Sequence, residues 1–422
     1  METVSYEPPK LSTEFKAAAS LQVLGQVEVI EHDGETKVTH NTEVVTTQTF
    51  EEIPHQVMNF GRHPLEEALF GMLAENRATI GSFTHAAKLR FNLYYPEVRQ
   101  ALKDHFSCEI PDILNRINYG TLVNEKGGVV EDFMCYVDGE GFLNVIGNIC
   151  NRDIWYDRFG HFFASQEAVD LTQRKAILYI YGTGSNRLIH ELFEVDIDQL
   201  GWRGVQRANI QGIDIDVAVT TYTPFGGAEI SFPIEKLPHI WNSILNSGGS
   251  WGIEVQPCGL TGRNIARMLA GLPLGKEDYR IHNCDLEIPP QAIGATVKAN
   301  HFLYREAAIQ NDIRWRRVWL DITDRRINQE LIDLFKEKYL HVSSILFIPG
   351  QQRLARELRR YASSKQEAQQ QADAIIQYLG NLGIQPGHHL FILGLGLDTL
   401  QEITVGDITT SVLTRRNWPR NP

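Results

Sequence analysis

Polar and β-branched residues alternate from residue 1 to residue 60, and this two-residue period predicts β-strands. The tetrapeptide His-Asp-Gly-Glu predicts a hairpin turn between Val29 and Val38. Apolar residues then recur at helical spacing from Pro64 onward, and a second helical stretch lies near residues 97–106. The chain is therefore expected to begin with a β extension that is followed by two helices.

The middle of the chain mixes short strands with helices. Residues 117–148 read as three strands separated by Gly-containing turns, and a helix follows Asn151. From Lys175 the pattern runs strand, helix, two strands and helix, with Gly248 in the position of a helix cap. Two αβ passes with a hairpin between them are typical of the βαββαβ arrangement. The expected fold class is therefore α+β with a ferredoxin-like lobe.

Two more helical segments are predicted in the second half of the chain. The first covers residues 261–271, with Thr261 as its N-cap. The second covers residues 353–379, which are rich in Gln and Arg and carry a thin apolar stripe, as in a polar helix or helix pair. With 422 residues the chain is long enough for two to four domains at roughly 100–200 residues each.

Composition narrows the range of functions. The net charge of −12 argues against a surface that binds nucleic acid or an anionic membrane. No run approaches the ~20 apolar residues of a membrane span, and the first residues lack the pattern of a signal peptide. The five cysteines include no Cys-x-x-Cys pair, so we expect reduced thiols, no metal site and a cytoplasmic location.

Asp132 is the first candidate for chemistry, because it lies in an otherwise apolar strand. Side chains two apart on a strand share a face, so Asp132 and Tyr136 point one way and Glu131 points the other. On an interior strand these residues would form a polar site, since a buried carboxylate needs hydrogen-bond donors. The alternative is an edge strand with Asp132 in water.

Two other candidates lie further along the chain. Tyr222 and Glu229 flank a loop with two glycines, where a backbone can approach a ligand closely, although these residues alone favour a hairpin with an exposed Glu229. Arg263 falls in the first turn of a predicted helix, where its charge opposes the helix dipole. We therefore expect an anionic partner for Arg263, either a ligand carboxylate or a nearby Glu.

Five segments between about residues 80 and 310 combine these candidates in one order: INYGTLVNEKGGVVEDFMCYV, FLNVIGNICNRD, IQGIDIDVAVTTYTPFGGAEISFPIEKLPHIWNSIL, GIEVQPCGLTGRNIARMLAGLPL and IPPQAIGATVKANHFLYREA. Together they resemble the folate-dependent aminomethyltransferase family, which comprises the glycine-cleavage T-protein and its relatives, including folate-dependent demethylases. The resemblance implies a multi-domain T-protein-like arrangement around a central folate pocket, with tetrahydrofolate as the acceptor of a one-carbon unit. The C-terminal third departs from the pattern and is expected to be divergent.

The resemblance also assigns roles by position. It implies that Asp132 is the catalytic acidic residue and that five residues bind the folate: Tyr119, Tyr136, Tyr222, Glu229 and Arg263. With the pattern of elements, it predicts four parts of the chain: a β extension (1–60), a folate-binding lobe (61–170 and 254–310), a ferredoxin-like lobe (171–253) and a divergent C-terminal domain (311–422).

The expected activity is the transfer of one carbon, most simply a methyl group, from a small molecule to N5 of tetrahydrofolate. The uncharged loop Pro224–Gly227, which replaces an acidic loop of the family, favours such an altered donor. The alternatives are a glycine-cleavage aminomethyltransferase and a non-catalytic folate-binding protein. A lipoyl carrier or an oxidase is a less favoured protein partner, and the oligomeric state stays open.

Overall fold

The computed structural model describes residues 6–24, 27–32, 35–40, 43–50, 52–73, 75–111, 116–221, 226–270, 272, 274, 290–293, 297, 302–310, 316–322, 342–360, 362–381, 389–395, 402–405 and 408–414. The helices have the following bounds: α1 (Thr13–Ala19), α2 (Pro64–Leu73), α3 (Pro96–His105), α4 (Arg152–Ala164), α5 (Ser185–Phe193), α6 (Ile197–Leu200), α7 (Leu237–Ser247), α8 (Leu260–Leu269), α9 (Arg305–Gln310), α10 (Gln351–Leu358) and α11 (Lys365–Asn381). None of these helices combines the length and the apolar composition that a membrane-spanning helix requires.

The N-terminal segment forms an antiparallel sheet, as its alternating pattern predicts. Its strands pair in chain order: β1 (Val27–His32), β2 (Glu35–His40), β3 (Glu43–Phe50) and β4 (Ile53–Asn59). Val29 pairs with Val38, so the predicted hairpin is confirmed. Helix α1, which strand alternation does not predict, precedes the sheet and is capped by the side chain of Ser12.

A second sheet carries Asp132, and we call it the Asp132 sheet. Its strand order is β10-β6-β9-β8-β7, with these bounds: β6 (Ala87–Asn92), β7 (Asn118–Val123), β8 (Val129–Val137), β9 (Phe142–Gly147) and β10 (Ala168–Asp170). The three strands predicted within residues 117–148 are confirmed as β7, β8 and β9. Phe106, which directly follows α3, and Trp155 of α4 pack against one face of this sheet. Asp132 and Tyr136 lie on the opposite face of this sheet.

A third sheet has six strands in the order β12-β13-β14-β11-β5-β15. Their bounds are β5 (Arg77–Ser82), β11 (Lys175–Tyr181), β12 (Val205–Ile210), β13 (Ile213–Ala218), β14 (Gly227–Pro233) and β15 (Glu254–Pro257). Along the chain, β11, α5, β13, β14, α7 and β15 follow the βαββαβ order, and α5 and α7 pack on one face of the sheet. The ferredoxin-like pattern is therefore present, with β5 inserted between β15 and β11 and β12 added at the edge.

The sheet pairing crosses one of the predicted domain boundaries. Strands β5 and β15, which the prediction placed in the folate-binding lobe, hydrogen-bond within the six-stranded sheet. A boundary drawn along the sequence misses this, because β5 pairs with strands far along the chain: Thr79 pairs with Tyr181 of β11, and Arg77 pairs with Glu254 of β15. The two lobes are interleaved, and the remaining boundaries stay predictions.

The C-terminal residues form a fourth sheet and a helix pair. The sheet has the order β17-β18-β16-β20-β19, with bounds β16 (Arg316–Ile322), β17 (Val342–Phe347), β18 (His389–Leu395), β19 (Glu402–Val405) and β20 (Ile408–Thr414). Helices α10 and α11 confirm the predicted helix pair. Their apolar stripe, which includes Leu354 and Leu379, packs in one cluster with Leu69 of α2 and Leu269 of α8.

Two details of the helix ends differ from expectation. Helix α8 begins at Leu260 with Gly259 as its N-cap, so the prediction of Thr261 as the cap is wrong. The carboxylate of Glu67 accepts a hydrogen bond from the backbone N–H of Gly259 at 2.8 Å, and this distant residue secures the helix start in place of a local cap. Gly248 does follow α7, but the left-handed residue is Gly252, after one further 3₁₀ turn.

Candidate functional site

Asp132 lies in the interior of its sheet, between β7 and β9. Its side chain is 8% exposed, which excludes the alternative of an edge strand with Asp132 in water. The hydroxyl of Tyr119 donates a hydrogen bond to Oδ2 at 2.7 Å, and the amide of Asn148 donates one to Oδ1 at 2.7 Å. The polar site that the strand period predicted is therefore present, and Asn148 completes it.

Glu131 points to the opposite face and is fully buried. Its carboxylate accepts hydrogen bonds from the backbone N–H of Asn148 at 2.7 Å, from the side-chain amide of Asn151, and from the indole N–H of Trp155 at 3.5 Å. Burial, together with the neighbouring charge of Asp132, raises the pKa of Glu131. No sequence pattern predicted a role for Glu131 or Asn148, although asparagines recur directly after β9, at positions 148 and 151.

Tyr136 lies on the same face as Asp132 but has another partner. Its hydroxyl donates to Asp216 at 3.2 Å, and Asp216 also accepts from the ammonium of Lys175 at 3.1 Å. The Tyr136 ring packs against Ala218 of β13. Tyr136 therefore links the Asp132 sheet to the six-stranded sheet, and it is Tyr119 that contacts Asp132.

Glu229 lies on β14, on the face turned away from the helices of its sheet. The side chain is 5% exposed, so the interpretation of an exposed hairpin residue is wrong. The hydroxyl of Tyr181 donates to Oε1 at 2.9 Å, and the Tyr181 ring stacks on Tyr179 at 4.7 Å between centroids. Neighbouring strands bury the carboxylate, an effect that a single strand pattern does not reveal. Tyr222 lies outside the described residues, as does Phe225.

Asp132 and Glu229 both face the layer between the two sheets. Residues that pair across strands share a face, and Ala218 pairs with Glu229. Ala218 packs against Tyr136, which shares a face with Asp132. The structure therefore places the two candidate carboxylates on facing surfaces of neighbouring sheets.

Arg263 lies in α8 and is 5% exposed. The guanidinium carbon is 4.2 Å from the centre of the Phe83 ring and 5.9 Å from that of Tyr179. Both distances are within the range of cation–π attraction. Burial, together with the nearby charge of Arg263, lowers the pKa of neighbouring His85 to about 3, so that His85 is neutral. No sequence motif pointed to Phe83 or His85.

A pocket of about 230 Å³ adjoins Asn148 and Arg263. Its wall combines the N-terminal sheet, the β5–β6 turn, the end of β9 and α8. The residues that line it are Gln48, Gln56, Met58, Phe83, His85, Ala86, Gly147, Asn148, Ile149, Cys150, Leu260, Thr261, Arg263, Asn264 and Leu274. Asn148, which donates a hydrogen bond to Asp132, and the positively charged Arg263 thus line the same cavity. In the described part of the chain, no group of three or more His, Cys, Asp or Glu residues could hold a metal ion.

Glu67 supports the start of α8 and should make stability depend on pH. Burial raises the pKa of Glu67 to about 7 from 4.5, despite hydrogen bonds from two backbone N–H groups. The folded state thus favours the protonated carboxyl. Its contribution to stability is full below pH 4.5 and is lost as the pH rises through about 7.

We expect Glu67→Gln to remove this dependence. At about 1.4 kcal/mol per pKa unit, the free energy of unfolding of the wild type should fall relative to the variant by about 3 kcal/mol between pH 4 and 8. Urea unfolding at several pH values measures the difference, with exposed Glu75→Gln as control. Curves that stay parallel for wild type and Glu67→Gln would contradict the assignment.

Comparison with known proteins identifies relatives of this chain. A family model described as the GCVT N-terminal domain matches residues 73–291. An aminomethyltransferase of Desulfitobacterium hafniense (strain Y51) is 32% identical over 234 residues, which cover 53% of this chain and 62% of that protein. An aminomethyltransferase of Geobacillus sp. (strain WCH70) is 30% identical over 187 residues, which cover 44% of this chain and 50% of that protein. The chain thus spans between half and two thirds of these relatives.

The fold is similar over a greater length. The crystal structure of glycine cleavage system aminomethyltransferase T from Bartonella henselae matches with a TM-score of 0.61 at 14% sequence identity, covering 89% of this chain and 94% of that one. This likeness confirms the expected T-protein-like arrangement of several mixed sheets and helices. The family match covers more than half of the residues and includes Asp132, Glu229 and Arg263. The chain therefore belongs to the GCVT N-terminal domain family, the T-protein family that its motifs resemble.

Proposed function

We propose that this protein is a tetrahydrofolate-dependent one-carbon transferase. The observation that supports this most directly is the pair of buried carboxylates, Asp132 and Glu229, on facing surfaces of two sheets. Each is held by a tyrosine hydroxyl, from Tyr119 and Tyr181 respectively. Two buried acids fixed in this way are suited to orient a flat, hydrogen-bonding ligand and to handle a proton.

The residues present fit a folate. Glu229 accepts one hydrogen bond from Tyr181, and a carboxylate has about four lone-pair sites, so it can also accept from the donors on a pterin edge. Asp132 is held from both sides by Tyr119 and Asn148, which fixes the direction of its oxygens. Tetrahydrofolate, when bound, supplies the nucleophilic nitrogen that takes the one-carbon unit. Much of the rate would come from holding the reactants in line.

Two donors are compatible with this function. The relatives named aminomethyltransferase favour an aminomethyl group, which a lipoyl carrier would present. The apolar loop Pro224–Gly227 favours a methyl group from a small molecule instead. Chromatographic identification of the folate product separates them, since methylene-tetrahydrofolate follows from the first donor and methyl-tetrahydrofolate from the second.

Binding of tetrahydrofolate tests the common part of the proposal. Glu229→Ala should weaken binding about 10- to 100-fold, since hydrogen bonds to a charged group contribute about 1.5–3 kcal/mol. Isothermal titration measures the change, with exposed Glu235→Ala, on the neighbouring turn, as control. Undetectable binding by the wild-type protein would overturn the proposal.

A further inference from the structure

Gln56 stands out among the residues that line the pocket. It lies on β4 and is 1% exposed. Both of its polar atoms, Nε2 and Oε1, are buried and have no hydrogen-bond partner in the described part of the protein. A buried amide without partners is costly, and native proteins rarely leave both ends of one unpaired. Because Gln56 lines both the main pocket and a small adjoining one, a ligand in the pocket is placed to satisfy it.

The charges around the pocket limit what this ligand can be. The residues described as lining it include one permanent cation, Arg263, and no Asp, Glu or Lys. An aromatic face would attract a cationic ligand, but the guanidinium of Arg263 already lies over Phe83. A sulfonium or quaternary ammonium donor would meet repulsion instead. The wall therefore favours a neutral or anionic ligand.

The part of the pocket wall that contains Gln56 lies outside the residues that match the family model. Gln48, Gln56 and Met58 come from β3 and β4, which precede the residues 73–291 that match the family model. The opposite wall, with Asn148 and Arg263, falls within those residues. The pocket is thus built where a segment outside the matched domain meets the proposed reaction site. A residue in this position is suited to set specificity without carrying the chemistry.

We propose that this pocket binds the one-carbon donor, and that Gln56 selects a small neutral or anionic molecule with a planar donor–acceptor group such as a carboxamide. An amide side chain offers two donors and one acceptor oxygen, so a carboxamide can pair with it through both atoms. Met58 and Phe83 supply apolar contact for the rest of the molecule. The volume of about 230 Å³ is below the range of about 300–1,000 Å³ for drug-sized ligands. This inference rests on the proposed function in one respect: only the proposed function makes the pocket ligand the one-carbon donor.

Three planar probes of different charge test the proposal: benzamide, benzoate and benzyltrimethylammonium. Titration calorimetry on the full chain should show binding of benzamide and benzoate, with and without tetrahydrofolate, and none of the cation. Gln56→Leu should weaken benzamide binding by at least about 10-fold and leave tetrahydrofolate affinity unchanged. Because it removes two unpaired buried atoms, it should also raise the thermal midpoint of the free protein. Gln256→Leu on β15, outside the pocket lining, is the matched control.

The outcomes separate this proposal from the proposed function. Preferential binding of the cation, absence of binding by all three probes, or equal benzamide affinity in Gln56→Leu and wild type would overturn it. Competition between benzamide and tetrahydrofolate would overturn it as well, because the pocket would then belong to the folate. If benzamide binds through Gln56 but tetrahydrofolate does not bind at all, the proposed recognition by Gln56 is supported and the proposed function is wrong. Gln56→Glu adds an independent result, since its new charge should weaken benzoate binding selectively.

Discussion

Asp132→Asn should lower the rate of the proposed one-carbon transfer by about 10²- to 10⁴-fold, the contribution of a positioned acid or base. The substitution keeps the shape of the side chain but removes the negative charge that accepts hydrogen bonds from Tyr119 and Asn148. One of its atoms becomes a donor that faces another donor. Single-turnover formation of the one-carbon folate product, with a donor that the wild type accepts, measures the rate.

The controls separate chemistry from folding. Asp153→Asn, an exposed position at the start of α4, should leave the rate unchanged. Tyr119→Phe should slow the reaction less, because Asn148 still holds the carboxylate. Since the loss is expected in turnover, tetrahydrofolate affinity should change much less than the rate in Asp132→Asn. Full turnover by Asp132→Asn would show that this carboxylate takes no part in the reaction.

Local pattern was sufficient to predict the elements that carry the site. The two-residue period of residues 129–137 predicted that Asp132 and Glu131 face opposite ways, and β8 has this arrangement. Periodicity succeeds here because a strand and its two faces are local properties of the backbone. The helix-forming segment from Ser185 to Phe193 and the polar helix pair after Gly350 were predictable for the same reason.

Partners distant in the sequence were not predictable. The hydrogen bond from Gly259 to Glu67 joins residues 192 positions apart, and it replaces the local cap expected at Thr261. From its local pattern alone Glu229 was expected in water, because its own strand gives no sign that the residue is buried. In the sequence, Gln56 is one polar residue among many in an alternating strand pattern. Only the packing of β4 against α8 shows that it is buried. Burial and pairing are properties of the assembled sheets, so a single segment does not encode them.

Glu131→Ala should be among the most destabilising substitutions in the chain. The Glu131 carboxylate accepts from a backbone N–H, an amide and an indole N–H inside the core. Removing it leaves these three donors without an acceptor and creates a cavity. At about 1–3 kcal/mol for each unsatisfied buried group, partly offset by rearrangement, the free energy of unfolding should fall by about 3–5 kcal/mol. Urea unfolding followed by tryptophan fluorescence measures the loss, since Trp155 is one of the donors.

Glu131→Gln shows whether stability depends on the acceptor oxygens of Glu131 or on its charge. It keeps one acceptor oxygen, so the loss should be smaller than in Glu131→Ala. Because the fold raises the pKa of Glu131, the contribution of the wild-type carboxyl is full below its ordinary pKa and is lost as the pH rises through the raised value. Gln does not titrate, and its disadvantage relative to wild type should therefore shrink with rising pH. Exposed Glu140→Ala should change stability by less than about 0.5 kcal/mol. A Glu131→Ala variant as stable as wild type would mean that water or a rearranged core satisfies the three donors, and that Asn148 is positioned without this carboxylate.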